Sequence, residues 1–199
     1  GIIDIGADPA DRAAHPGLVP PHELDALVER IHANSGGASR QATGAAASNL
    51  DLYQVNCTFH DALGRDDRAY LAARAIQFFL PGVPQVYYVG LLAGGNDLDL
   101  LGRSGVGRDI NRHHYSRVEI ECELQRPVVQ RLMSLIRLRN DHPAFGGEFS
   151  LVDSDAASLQ LSWRHGLAEA VLTVRLDPLS VRLHLRDADG RLTEHPGFD

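Results

Sequence analysis

Apolar residues recur with the period of an α-helix in three stretches of the chain. In the first stretch the apolar positions fall at i, i+3, i+4 and i+7: Leu24, Leu27, Val28 and Ile31. Gly36 follows as a stop, so the pattern predicts one helix here. The rest of residues 1–64 is irregular and rich in proline, glycine and alanine, which predicts a long loop-rich segment around that helix.

The second and third helical stretches follow Asp66 and Pro127. In each, four apolar residues share one face: Leu71, Ala75, Phe78 and Phe79 in the second, and Val128, Leu132, Leu135 and Ile136 in the third. Asp66 is placed to cap the second helix, and Pro127 suits a first-turn position of the third. Between them, Ser116 and Glu119 match a capping box and predict the start of a further helix.

A short apolar run, Val86–Val89, follows Pro81 and Pro84, which bar the continuation of a helix. The run predicts a strand buried on both faces. A long loop rich in glycine and charge comes next, from Gly94 to Tyr115. Helix, buried strand and polar loop in this order build the site of a (β/α)8 barrel, although any α/β unit shows the same order.

The apolar period changes to two residues after Pro143. Apolar and polar residues alternate through the tail, with the apolar set Leu159, Leu161, Trp163, Val171, Val181, Leu183 and Leu185. Asp187–Gly190 reads as a hairpin turn. The tail therefore predicts a small antiparallel sheet, with Trp163 in its core.

Composition excludes several classes of partner. The chain has 199 residues and a formal charge of −7, and no run of Lys or Arg suggests a nucleic-acid surface. No apolar run approaches the roughly 20 residues that cross a bilayer. Cys57 and Cys122 are far apart, so neither a disulfide framework nor a zinc site is indicated, and we expect a cytoplasmic location.

Two glycine- or histidine-containing patterns carry no cofactor or metal. Gly105-Val106-Gly107 lacks the third glycine and the preceding unit of a nucleotide-binding fingerprint. His113 and His114 are adjacent and have no third ligand at useful spacing. We therefore predict no cofactor and no metal ion.

Parts of the chain resemble glycoside hydrolase family 13, the α-amylase superfamily. The resemblance is to the branch that phosphorolyses sucrose, and three runs carry it: Asn49–Asn56, Pro81–Gly90 and Gly107–His113. The resemblance extends from Gly1 to about Phe149. It implies an α/β fold: the C-terminal part of a (β/α)8 barrel, with a loop-rich insertion before it and an antiparallel β domain after it. We predict the insertion over 1–64, the helix–strand–helix part of the barrel over 65–144 and the β domain over 145–199.

The resemblance also implies retaining transfer of a glucosyl unit from sucrose to phosphate, giving α-glucose 1-phosphate and fructose. Such transfer needs two carboxyl groups about 5 Å apart, and in the family these come from strands that precede the part matched here. A complete barrel needs about 250 residues, and the chain starts abruptly at Gly1 with Met133 as its one methionine. We expect a piece of a longer enzyme, without catalytic residues and inactive alone; a processed mature terminus is the alternative.

Five residues are implied to bind substrate. Asp51-Leu52-Tyr53-Gln54 resembles the acceptor-site loop, where a carboxylate suits sugar hydroxyls and a tyrosine hydroxyl can donate to phosphate. The alternative is an ordinary turn with a buried aromatic ring. Arg108 matches the arginine that contacts the glucosyl unit, and its alternative is a structural ion pair with Asp109.

Other functions remain open at this point. A related phosphorylase would use sucrose 6'-phosphate or glucosylglycerate as donor. A non-catalytic carbohydrate-binding or assembly protein is a candidate from another class. The expected partners are small molecules, namely sucrose, phosphate, glucose 1-phosphate and fructose, with no nucleic acid and no membrane. The sequence is compatible with a homodimer.

Overall fold

A computed structural model describes residues 17–43, 55–152 and 154–195 of the chain. The described residues divide into two compact units, one within 1–65 and 88–120 and the other within 66–87 and 121–199. The helices in chain order are α1 (Pro21–Asn34), α2 (Ala38–Gln41), α3 (Phe59–Ala62), α4 (Asp67–Phe79), α5 (Tyr88–Leu91), α6 (Leu98–Ser104), α7 (Arg117–Glu123) and α8 (Pro127–Asp141). Two 3-10 helices, Gly107–Asn111 and Pro143–Gly146, and five strands complete the described elements: β1 (Glu148–Val152), β2 (Ser158–His165), β3 (Ala168–Leu176), β4 (Leu179–Arg186) and β5 (Leu192–His195).

The predicted first helix is confirmed as α1, and it ends where the glycines require it to. Gly36 and Gly37 have φ angles of 60° and 82°, and the Gly37 N–H donates to the carbonyl of His32 at 2.8 Å. Only part of the predicted apolar face is buried, since Leu24 is buried whereas Leu27 is 40% exposed. The helix packs on α2 and α3, and these single turns are too short to cover the whole stripe.

The two long helices of the second unit, α4 and α8, are confirmed and pack on each other. Asp66 caps α4 by accepting hydrogen bonds from the N–H groups of Arg68 and Ala69. Pro127 stands in the first turn of α8. Apolar residues of both predicted faces are buried, among them Leu71, Ala75, Phe78, Phe79, Val128, Leu132 and Leu135.

The predicted antiparallel sheet is confirmed, with strands in the order β1-β2-β3-β4-β5 and each antiparallel to the next. One buried row across three strands consists of Leu161, Leu172 and Leu183. Val171 does not belong to this face, contrary to the prediction: it pairs with Ser162 and His184 and is half-buried. Val171 shares its face of β3 with Glu169, Thr173 and Arg175, whereas the buried residues Ala170, Leu172 and Val174 lie on the other face.

The predicted strand over Val86–Val89 is wrong. Residues 83–87 form no regular structure, and Tyr88 begins the helical turn α5. Within the run, Tyr87 and Tyr88 are 55% and 39% exposed, so it is not buried on both faces either. A strand forms only where a neighbouring strand accepts its backbone hydrogen bonds, and within the described residues no strand lies beside this run. Among all the residues that the structure describes, no helix has the length and apolar character needed to cross a membrane.

Candidate functional site

The predicted acceptor loop, Asp51-Leu52-Tyr53-Gln54, lies outside the described residues, but the chain on both sides of it is described. Asn56 is 1% exposed, and its side-chain amide donates to the carbonyl of Ala42 at 2.7 Å. Its backbone N–H also donates to the Thr43 hydroxyl, at 3.3 Å. The segments that precede and follow the predicted loop therefore meet at a buried, hydrogen-bonded asparagine.

A buried carboxylate, Asp61, connects the chain after the predicted loop to the glycine-rich segment 94–97. Its Oδ2 accepts from the Asn96 N–H at 2.7 Å and from the Thr58 hydroxyl at 3.0 Å, while Oδ1 accepts from Arg65 Nε at 2.9 Å. In return, the Thr58 N–H donates to the Asn96 side-chain carbonyl at 2.8 Å. Each carboxylate oxygen has partners, as a buried charge requires.

Gly94 is required by close packing in this segment. A Cβ atom added to Gly94 would stand 2.1 Å from the hydroxyl of Tyr115 and 2.9 Å from Val89. At Gly95 the nearest side-chain atom, Arg65 Nη2, would be 2.8 Å away. The Gly-Gly pair therefore lets the backbone pass directly beneath Tyr115.

Arg108 stands on a short 3-10 helix whose opposite side is fixed in the core. Helix α6 ends at Gly105 with a φ of 66°, and the 3-10 helix Gly107–Asn111 follows. Ile110 is fully buried and packs in a cluster with Ala38, Ala42 and Leu101. Arg108 is exposed, so the turn buries its isoleucine and presents its arginine to solvent.

The structure does not support the alternative of an ion pair between Arg108 and Asp109. Asp109 pairs instead with Arg112, at 3.8 Å between Oδ1 and Nη1. Within the described part of the chain, no residue hydrogen-bonds or forms an ion pair with the Arg108 guanidinium. The 3-10 helix therefore presents the Arg108 guanidinium, a charged group with five N–H donors, to solvent.

An ion pair between Asp97 and His113 spans the loop that carries Arg108. Asp97 Oδ2 lies 2.6 Å from His113 Nδ1, and Glu119 Oε1 lies 3.5 Å from His113 Nε2. The hydrogen bond with Asp97 is the main cause that raises the pKa of His113. Burial acts to raise the pKa of Asp97, but hydrogen bonds from the Leu100 N–H and His113 outweigh it, and the pKa is lowered. Both shifts favour the charged pair.

An open depression of about 400 Å³ lies beside this pair. Seven residues line it: Gly95, Asn96, Asp97, Leu98, Asp99, His113 and Tyr115. Carboxylate, amide and phenol groups of this kind hydrogen-bond to hydroxyl-rich ligands. Among the residues that the structure describes, no group of three or more His, Cys, Asp and Glu side chains is placed to hold a metal ion.

Comparison with known proteins finds two relatives of high sequence identity. The sucrose phosphorylase of Agrobacterium vitis is 61% identical over 174 residues, which are 87% of this chain and 35% of that protein. The sucrose phosphorylase of Bifidobacterium adolescentis is 57% identical over 173 residues, covering 87% of this chain and 34% of that protein. Over the part that aligns, the chain is a homologue of these sucrose phosphorylases, which confirms the resemblance found in its sequence.

A solved structure is similar to this chain over nearly its whole length. The sucrose 6F-phosphate phosphorylase from Thermoanaerobacter thermosaccharolyticum matches with a TM-score of 0.81 and 37% identity, over 97% of this chain and 39% of that one. No protein-family model matches the chain. The chain spans about a third of the length of these sucrose phosphorylase relatives.

Sequence reasoning placed Arg108 in the site but missed the residues that hold the loop of this sucrose phosphorylase homologue. Asp97 stands directly before the apolar start of α6, a typical N-cap position, and Thr58 stands three residues before Asp61. Both patterns predict the start of a helix. Neither shows that the carboxylate also binds a second segment, at His113 or at Asn96, because those contacts join distant parts of the chain.

Proposed function

We propose that this chain is the C-terminal part of a sucrose phosphorylase, which transfers a glucosyl unit from sucrose to phosphate with retention of configuration. The observation that carries the proposal is Arg108, an exposed guanidinium on a turn anchored by the buried Ile110, in a chain 61% identical to a sucrose phosphorylase. The products are α-glucose 1-phosphate and fructose.

Arg108 contacts the glucosyl unit of the donor in this proposal. Its rigid fork can donate several hydrogen bonds to adjacent sugar hydroxyls. These bonds hold the ring in place while a carboxylate displaces fructose and forms a covalent glucosyl-enzyme. The nucleophile and the acid/base are supplied by a part of the enzyme outside this chain, and none of the residues of this chain is catalytic. The reaction needs no cofactor and no metal ion.

Asp51, Leu52, Tyr53 and Gln54 form the acceptor side of the site. A carboxylate at Asp51 suits the hydroxyl groups of departing fructose but repels phosphate, whereas the Tyr53 hydroxyl can donate to phosphate. Support for this assignment comes from the flanks, since Asn56 and Asp61 fix the chain that follows the loop.

The remaining architecture is proposed by the same family relationship. Residues 65–144 contribute the last part of a (β/α)8 barrel, residues 1–64 the loop-rich insertion, and residues 145–199 the β domain. Val83 and Tyr87, exposed in the described chain, would then face barrel strands that lie outside it. We further propose a cytoplasmic enzyme that acts on small molecules, and a homodimer as its assembly.

The identity of the glucosyl donor is proposed from the relatives. Two sucrose phosphorylases are 61% and 57% identical over 87% of this chain, whereas the sucrose 6(F)-phosphate phosphorylase of Thermoanaerobacterium thermosaccharolyticum is 56% identical over 58% of it. Sucrose is therefore the proposed donor. Sucrose 6'-phosphate and glucosylglycerate are the alternatives.

The test is a donor panel with the full-length protein. Sucrose, sucrose 6'-phosphate and glucosylglycerate are each incubated with and without phosphate, and glucose 1-phosphate is quantified. The proposal expects the largest phosphate-dependent yield from sucrose. Release of glucose without glucose 1-phosphate would make the protein a hydrolase, and a larger yield from another donor would replace sucrose by that donor.

A further inference from the structure

Asp97 joins three parts of the loop that carries Arg108. Its Oδ1 caps α6 by accepting from the Leu100 N–H at 2.7 Å, and its Oδ2 pairs with His113 Nδ1 at 2.6 Å. Its backbone N–H donates to the carbonyl of Ile110, also at 2.7 Å. One residue therefore fixes the start of α6, the turn two residues after Arg108, and the exit of the loop at His113.

His113 closes the same segment from its other end. Its carbonyl accepts a hydrogen bond from the Tyr88 hydroxyl at 2.8 Å, and its ring meets Tyr115 edge-on at a centroid distance of 4.5 Å. The His113 side chain is 32% exposed and that of Asp97 is 13% exposed, so the pair is partly shielded from solvent. The ion pair thus joins the two ends of segment 97–113, which carries Arg108.

We infer that the Asp97–His113 ion pair is a positioning device that fixes the Arg108 guanidinium for the glucosyl donor. The inference rests on the proposed function of Arg108. The geometry behind it is independent of any substrate: Arg108 is itself exposed, so its direction depends on the backbone of the turn beneath it. That backbone is bonded to Asp97 at Ile110 and leads into His113 three residues later. Asp97 and His113 do not touch the sugar in this account.

The charge of the pair makes the positioning depend on pH. Three charged groups act around His113: Asp97 and Glu119 face its two ring nitrogens, and Arg103 lies near Asp97. Because the pKa of His113 is raised above its ordinary value of about 6.5, the folded loop favours the cationic form of the ring. The stabilisation is complete below that ordinary value and is lost as the pH rises through the raised pKa of His113. Donor use should therefore weaken on the alkaline side.

A double-mutant comparison in the full-length enzyme tests the inference. Asp97→Asn is measured in the native background and in an Arg108→Ala background, with kcat/KM for sucrose as the readout. A positioning role acts through Arg108. We therefore expect Asp97→Asn to lower kcat/KM by about three- to tenfold in the native background, the effect of one lost hydrogen bond. In the Arg108→Ala background the same change should cost less than about twofold.

The pH profile supplies a second readout. His113→Asn keeps an amide donor near the position of Nδ1 but does not titrate, so the alkaline fall of kcat/KM for sucrose assigned to this pair should disappear. His114→Asn, at the exposed neighbouring histidine, is the matched control and should keep the native profile. If Asp97→Asn does not fold, His113→Asn takes its place in the double-mutant comparison.

The outcomes separate the inference from the function beneath it. An equal loss from Asp97→Asn in both backgrounds, together with a native pH profile in His113→Asn, overturns the positioning role while Arg108 keeps its donor role. An unchanged kcat/KM in Arg108→Ala alone overturns the donor role of Arg108, and the inference falls with it.

Discussion

The indole N–H of Trp163 donates a hydrogen bond to the backbone carbonyl of Phe79, with an Nε1–O distance of 2.6 Å. Phe79 is the last residue of α4, where carbonyl groups have no partner within the helix. The Arg139 guanidinium lies over the Trp163 ring, 4.7 Å from its centroid, and Phe149 packs on the ring at 5.4 Å. The indole therefore attaches strand β2 to the end of α4.

Replacing Trp163 by Phe should loosen this attachment. The ring plane is kept, but the Phe79 carbonyl loses its donor, which costs about 1–3 kcal/mol when the group stays buried. The measurement is amide hydrogen exchange of β2 and α4 in the full-length protein, which gives the free energy of local opening. Leu151→Ala on β1 is the control: Leu151 is 64% exposed, so its loss should stay within about 0.5 kcal/mol. Equal effects of the two changes would rule out a special role for the indole.

Two adjacent glycines should respond differently to alanine. A Cβ on Gly147 would stand 2.0 Å from the carbonyl oxygen of Arg164, which is backbone and cannot rotate away. A Cβ on Gly146 meets nothing nearer than 3.8 Å. Gly147→Ala should therefore destabilise the start of β1 by about 1–3 kcal/mol, and Gly146→Ala should have little effect. Hydrogen exchange at β1 and β2 measures the free energy of local opening in both variants. An unchanged value in Gly147→Ala would show that β1 can shift away from the Arg164 carbonyl without loss of stability.

His142 should make the same region sensitive to acid. Its side chain is 7% exposed, its Nδ1 accepts from the Ala144 N–H, and Asp187 is 3.6 Å from Nε2. Burial lowers the pKa of His142, against an opposing effect of Asp187. The folded state therefore favours the neutral ring. The stability that the neutral ring gives the fold is complete above about pH 6.5, the ordinary histidine pKa, and is lost as the pH falls through the lowered pKa of His142.

The variant that isolates this effect is His142→Asn, since asparagine can still accept from the Ala144 N–H but does not titrate. The opening free energy of 143–152 should fall below about pH 6.5 in the native protein and stay level in His142→Asn. His165→Asn, at an exposed histidine, should keep the native pH dependence. An identical acid response in all three proteins would exclude His142 as its source.

Local patterns predicted the elements that local physics determines. The face of α4, the proline at the start of α8 and the alternation around Trp163 could be read from the sequence because each depends on neighbours three, four or two residues away. The run Val86–Val89 could not, since a strand also needs a partner that the run itself does not specify. Val171 was misplaced for a different reason, since it is the apolar residue on a face of β3 that otherwise carries Glu169, Thr173 and Arg175.

The candidate site, too, could be predicted only in part from the sequence. Arg108 was indicated by the resemblance of its flanking residues, and the structure places it exposed on a 3-10 turn. The carboxylates of Asp61 and Asp97 were not indicated, because what distinguishes them is a bond to a segment 35 or 16 residues away. Long-range polar contacts leave no periodic trace in a sequence.

Tyr53 should affect only the phosphate step. Tyr53→Phe keeps the ring but removes one hydrogen bond to phosphate, worth about 0.5–1.5 kcal/mol, whereas water attacking the glucosyl-enzyme needs no such donor. The ratio of glucose 1-phosphate to glucose formed from sucrose in phosphate buffer should therefore drop by a few-fold. An unchanged ratio would return Tyr53 to the alternative of a buried aromatic in a turn.

The central claim is that Arg108 holds the glucosyl donor of a phosphorylase, and the kinetics of sucrose phosphorolysis by the full-length Arg108→Ala enzyme test it most directly. Losing a charge-assisted hydrogen bond costs about 1.5–3 kcal/mol, so kcat/KM for sucrose should fall about ten- to a hundredfold. Arg112→Ala is the matched control, because its ion pair with Asp109 is long, at 3.8 Å, and partly exposed to solvent, so that it contributes little. Native kcat/KM in Arg108→Ala, or an equal loss in both variants, would contradict the assignment.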